Sequence, residues 1–194
     1  MNPQFESLGS PLEELDLDHG RKLKDIALTS IRSQILGMRY RPRIRDVKLK
    51  EKAGVFVTLK RDGELRGCIG YVFPAYEMWD ATRKAAIHAA FSDPRFKPIE
   101  KRELDSLEIE ISVLGPLEQM KVSQEKDLES LRLGQDGLMI VGMGSSGLLL
   151  PQVAEELGFN KIEFLEATCE KSGLDCDAWK DPSVSVYRFY ARVF

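Results

Sequence analysis

The chain has 194 residues, 43% of them hydrophobic, enough to bury a core in one compact unit or two small lobes. Its 28 basic and 31 acidic residues leave a net charge of −3, so no global field draws it to nucleic acid or to an anionic membrane. No apolar run approaches the ~20 residues of a membrane helix, and the first residues are rich in Pro, Glu and Asp instead of basic then apolar.

Three cysteines, Cys68, Cys169 and Cys176, include no C-x-x-C pair, which argues against a disulfide framework or a thiolate zinc site and for a reducing cytoplasm. With only His19 and His88 available, a multi-histidine metal site is disfavoured. No metal is therefore expected, and the cofactor is left open.

Residues 1–17 carry acidic groups, Gly9, Pro3 and Pro11 without a period and read as a mobile or loosely packed tail, with residues 18–194 forming the domain. From about Asp18, Leu23, Ile26, Ala27, Ile31 and Ile35 recur at helical spacing, with Gly37 just beyond the end. Between residues 39 and 52 lie Arg39, Arg41, Arg43, Arg45, Lys48, Lys50 and Lys52, and Pro42 excludes a regular helix there. A phosphate-binding patch is one reading. A solvated connector is preferred, because the segment lacks the interleaved aromatics of a single-strand binder.

Val55 to Lys60 and Leu65 to Val72 are strand-like runs around Arg61-Asp62-Gly63-Glu64, hence a hairpin. A two-residue loop mixes polar and apolar residues on each face. A loop of Arg61 to Gly63 pairs Leu59 with Leu65 and Val55 with Ile69, and is the register expected here. It places Phe56, Thr58, Arg66 and Cys68 on one face, opposite Leu65 and Ile69. Residues 75–92 predict a helix with a bulky stripe of Tyr76, Trp79, Ile87, Ala90 and Phe91 and a smaller one of Met78, Ala85 and Ala89.

Leu107 to Leu114 alternates as a strand, and a short helical segment follows near Glu125 to Leu131. Leu138 to Val141 and Gly147 to Leu150 read as strands joined by a glycine-rich turn. Pro151 opens a brief helix that Gly158 stops, Asn160 with Glu163 caps another, and Val184 to Phe194 is a final strand. Interleaved helices, two hairpins and no long β-helix-β series indicate an α+β fold with antiparallel sheets packed with helices.

Chemistry concentrates at Leu65-Arg66-Gly67-Cys68-Ile69-Gly70. A cation beside a thiol favours the nucleophilic thiolate, so Cys68 and Arg66 are candidate catalytic residues; the plainer reading makes Cys68 a small buried filler. Glycine inside a strand marks close approach of a ligand or another backbone, and here there are two. His88, Asp93, Glu108 and Glu110 are candidate bases for the thiol. Gly142 to Gly147 matches G-x-G-x-x-G, but Leu148 to Leu150 looks extended where a dinucleotide site needs a helix, so a hairpin tip is expected. Trp79 and Trp179 read as packing residues.

The hexapeptide Leu65 to Gly70 resembles the hallmark of the AMMECR-type domain family. So do Gly54 to Leu59, Ala89 to Phe96, Leu107 to Leu114, Gly147 to Val153 and Tyr187 to Phe189, a resemblance that spans the chain from about residue 20. It departs from the family at Met143 to Ser146, where members often carry charged turns. The resemblance implies a single domain of a larger and a smaller α+β lobe with the hexapeptide near their junction. It also implies a site of Cys68, Arg66, Leu65, Gly67, Ile69 and Gly70, with Asp93 and Arg95 as helpers; His88 stays a candidate from the reading of the residues alone.

The chain is similar to protein A of the AmmeMemoRadiSam system. That likeness implies a Memo-like protein and a radical S-adenosylmethionine protein as partners. Nothing in the sequence excludes a homo-oligomer. Two functions follow: a catalytic or metabolite-binding component using Cys68, or a non-catalytic adaptor whose glycine-bare strand face receives a partner.

Overall fold

A computed structural model describes Leu12 and residues 14–194. The expected tail falls largely outside the described residues; within them, Leu12 and Leu15 are buried. The described residues divide into two compact units, one holding Leu12 and residues 14–115 together with Arg192–Phe194, the other Pro116–Ala191.

In the first unit, α1 (Leu17–Ile35) starts at Asp16, whose carboxylate accepts the N–H groups of Asp18 and His19, and Gly37 reverses the chain beyond it with φ +65°. Strands β1 (Gly54–Arg61), β2 (Glu64–Tyr71) and β3 (Leu107–Leu114) form an antiparallel sheet in the order β2-β1-β3. Ile111 exchanges two main-chain hydrogen bonds with Phe194. Helix α2 (Met78–Phe91) packs on β1 and β2, and α1 packs on α2 and β3.

The two stripes of α2 differ in depth. Met78, Ala81, Ala85, Ala86, Ala89 and Ala90 are buried, while Trp79, Ile87 and Phe91 are half-buried. Small side chains let the helix backbone lie close to the sheet, and bulk is left to fill the flanks.

The hairpin register also differs from the expected one. Asp62 and Gly63 both have positive φ, 53° and 80°, and make a two-residue turn that pairs Arg61 with Glu64 and Lys60 with Leu65. One residue later the register shifts: Arg66 and Gly67 together oppose Leu59, and Val57 then faces Ile69 while Thr58 faces Cys68. The bulge repairs the mixing of polar and apolar residues that argued against this turn. It keeps Cys68 with Thr58 and Phe56 but puts Leu65 opposite Lys60, exposed at 41%, and not on the face of Ile69.

The second unit carries β4 (Glu118–Met120), β5 (Asp136–Gly142), β6 (Ser145–Leu149), α3 (Pro151–Glu156), α4 (Lys161–Lys171) and, as far as Ala191, β7 (Ser185–Val193). β7 pairs antiparallel with β4 and β5, and β5 with β6. Leu138, Ile140, Phe164, Leu165, Trp179 and Val186 form part of its core. The Asn160 side chain accepts from Ile162 and Glu163 as the capping pattern predicts. The G-x-G-x-x-G run is a hairpin tip: Met143 and Gly144, both at positive φ, turn β5 directly into β6. No helix among the described residues is long and apolar enough to cross a membrane.

Candidate functional site

Gly67 is buried where a Cβ would stand 2.3 Å from the carbonyl oxygen of Ala89. Only glycine lets the last turn of α2 settle on β2 this closely. The residues that leave the helix are thereby delivered to the neighbouring peptide of Cys68. Asp93, its side chain 1% exposed, accepts the Cys68 N–H through Oδ2 at 2.9 Å.

Arg95 donates to Asp93 from Nε at 3.0 Å and Nη2 at 2.7 Å, and Nη2 also reaches the Cys68 carbonyl at 3.3 Å. Both main-chain groups of Cys68 are thus held by one carboxylate–guanidinium pair on the outer edge of β2. The Arg95 guanidinium, helped by the Cys68 amide, holds the Asp93 carboxyl well below the usual range against the opposing effect of burial. Asp93 in turn raises Arg95.

The Cys68 thiol is half-buried, Cys169 is buried and Cys176 is exposed. Cys68 Sγ lies 3.3 Å from Thr58 Oγ1. The strand registers set Cys68, Thr58 and Glu110 in one row across β2, β1 and β3, and Gly70, Phe56 and Ser112 in the next. Glu110 accepts from Lys60 Nζ at 3.2 Å, and the buried Ser112 hydroxyl has no hydrogen-bond partner among the described residues. The thiol therefore sits beside a hydroxyl in a row that ends in a carboxylate.

Arg66 does not supply the cation expected beside the thiol. Its Nε and Nη2 donate to Glu103 at 2.8 and 3.2 Å, Arg61 joins the same carboxylate at 3.3 Å, and the guanidinium lies 6.0 Å from the centroid of the Phe96 ring. Glu103 is buried, and pairing with Arg66, reinforced by the Glu100 amide and Arg61, lowers its pKa to about 2. The bulge explains the difference, because it turns Arg66 with Gly67 toward Leu59 and away from the alternation that carries Cys68.

His88 is exposed, with Nδ1 3.3 Å from the Tyr71 hydroxyl. Gly70, like Gly67, is filled from within: a Cβ there would stand 2.3 Å from the Phe56 ring. Ile69 is half-buried opposite Val57. Asp93 and Arg95 lie at the hexapeptide, where they hold the Cys68 peptide. Sequence reasoning missed Glu103, which follows the buried Ile99 with no periodic signal to mark it as an arginine partner. Among the described residues no group of three or more His, Cys, Asp or Glu side chains could hold a metal ion.

Residues 24–194 match the model of the AMMECR1 family. A protein of Methanothermobacter thermautotrophicus is 46% identical over 184 residues, 93% of this chain and 95% of its own length. Protein TK0174 of Thermococcus kodakarensis is 48% identical over 158 residues, 79% of this chain and 77% of its own. The crystal structure of the uncharacterized protein PH0010 from Pyrococcus horikoshii superposes with a TM-score of 0.85 at 41% identity, covering 90% of this chain and 89% of that one. By this match and these identities, the chain belongs to the AMMECR1 family.

Proposed function

We propose that Leu65–Gly70 is a catalytic or metabolite-binding site whose functional group is the Cys68 thiol. In this reading the protein works in the cytoplasm with a Memo-like protein and a radical S-adenosylmethionine protein. The observation that carries it is the fixing of both main-chain groups of Cys68 by Asp93 and Arg95, which sets the direction of the thiol to within the freedom of one torsion. Asp93 and Arg95 are positioning residues, and Arg66 acts at one remove by holding the bulge to Glu103. Thr58 Oγ1 is placed to exchange a hydrogen bond with the thiol or thiolate.

The adaptor alternative has less support, because Gly67 and Gly70 admit Ala89 and Phe56 of this chain instead of leaving a bare strip for a partner. Complementation separates the two. In a host lacking its own copy, Cys68→Ala is expected to fold and fail, and Cys68→Ala with full complementation overturns the thiol's role. Co-purification of the two companion proteins with the wild-type chain is expected, and its absence removes them from the reading.

A further inference from the structure

Among the described residues the Arg32 side chain has no carboxylate partner and Arg192 lies 5.9 Å from the centroid of the Phe194 ring; the other arginines of the first unit fall into two groups. Arg21, Arg61, Arg66, Arg83, Arg95 and Arg102 each pair with a carboxylate. Arg39, Arg41, Arg43 and Arg45 have no ion-pair or hydrogen-bond partner among the described residues and are exposed. Four exposed guanidinium groups along residues 39–45 give this segment a local positive potential that attracts anions.

Two of these four line a cleft of about 580 Å³ that also receives Ser33 and Gln34 from α1 and Trp79, Arg83 and Ile87 from α2. Among the described residues no carboxylate lines it. The Trp79 indole N–H is engaged by Glu77, so what Trp79 offers the cleft is ring surface. Tyr40 and Pro42 complete the wall; contrary to the expectation the basic segment does carry an interleaved aromatic, Tyr40 between Arg39 and Arg41, and the fold adds Trp79 from α2. Gly37 at positive φ is what turns residues 38–42 back to form that wall.

We propose that this cleft binds a small phosphorylated ligand of nucleotide size, its phosphate held by Arg39 and Arg41 and its body lying against Trp79, Pro42 and Ile87. Guanidinium forks match phosphate oxygens in pairs, and the volume lies within the range of small-molecule sites. Arg83, already neutralised by Asp80 at 2.8 Å, shapes the cleft instead of adding net charge. The proposal does not depend on the role of Cys68, since no hexapeptide residue lines the cleft.

The test titrates the full chain with adenosine 5′-monophosphate and with inorganic phosphate, read by calorimetry and by tryptophan fluorescence with Trp79→Phe as the control for Trp179. Saturable binding of the nucleotide is expected at millimolar affinity or better, weakened about tenfold by Arg41→Gln and by Arg39→Gln and falling as salt rises. Arg43→Gln, which removes an unpaired arginine outside the cleft, is expected to leave it within about twofold. Absence of saturable binding of both probes overturns the proposal, as does an Arg43→Gln effect equal to that of Arg41→Gln. A single-stranded oligonucleotide that binds while the mononucleotide does not also overturns it.

Discussion

Two arginine-rich regions of one unit handle charge in opposite ways. Around Cys68, Arg66 and Arg95 are tied to Glu103 and Asp93, and both carboxylates are buried. Along residues 39–45 every arginine is exposed and lacks a described partner. The first arrangement fixes backbone, because a buried carboxylate with two or more donors behaves as a rigid bracket. The second leaves charge free to meet an anion. Counting cations in the sequence treats the two regions alike; what separates them is where the carboxylates lie in space.

The contrast predicts a graded series. Glu103→Ala leaves a largely buried guanidinium unpaired and is expected to cost about 3 to 5 kcal/mol in urea unfolding. A cost under about 1 kcal/mol would show that the bracket is not structural. Gly67→Ala drives a methyl toward the Ala89 carbonyl and is expected to cost about 1 to 3 kcal/mol, since the end of α2 must lift from β2.

Asp93→Asn keeps shape but weakens the hold on Cys68 and Arg95, with an expected cost of about 2 kcal/mol. Amide exchange should then show Cys68 N–H losing protection. Arg41→Gln is expected to change stability by no more than about 0.5 kcal/mol while altering ligand binding.

Acid sharpens the same comparison. Glu103 titrates near 4.5 when unfolded and near 2 when folded, so its contribution is fully present above pH 4.5 and is lost as pH falls toward 2. Asp93 shifts in the same direction. Stability measured from pH 5 down to pH 2 is therefore expected to fall, and Glu103→Gln should flatten part of that slope. A variant with the wild-type slope would show that the pair is not formed in solution.

Much of the fold was legible because its signals are local. The 3.6-residue period of α1, the Asn160–Glu163 cap and the alternation of Leu107 to Leu114 each lie within one element, and each appears where the pattern put it. The hexapeptide was legible as an unusual stretch and as a family mark. Its geometry was not, because a single inserted residue at Arg66 reverses the facing of Leu65 relative to Cys68 without leaving a trace in composition. Nor was the meaning of its glycines, since a strand cannot announce that the approaching backbone is that of Ala89. Glu103 lies 37 residues from Arg66, so their pairing is a property of the fold alone.

Thiol reactivity tests the central claim, that Cys68 is a positioned functional group, most directly. In the folded protein at neutral pH, alkylation followed residue by residue by mass spectrometry should modify Cys68 and the exposed Cys176 while sparing the buried Cys169. Asp93→Asn should change the rate at Cys68 and leave the rate at Cys176 unchanged. Modification of Cys68 no faster than of Cys169, appearing only on unfolding, would contradict the account and return Cys68 to the role of a packed core residue.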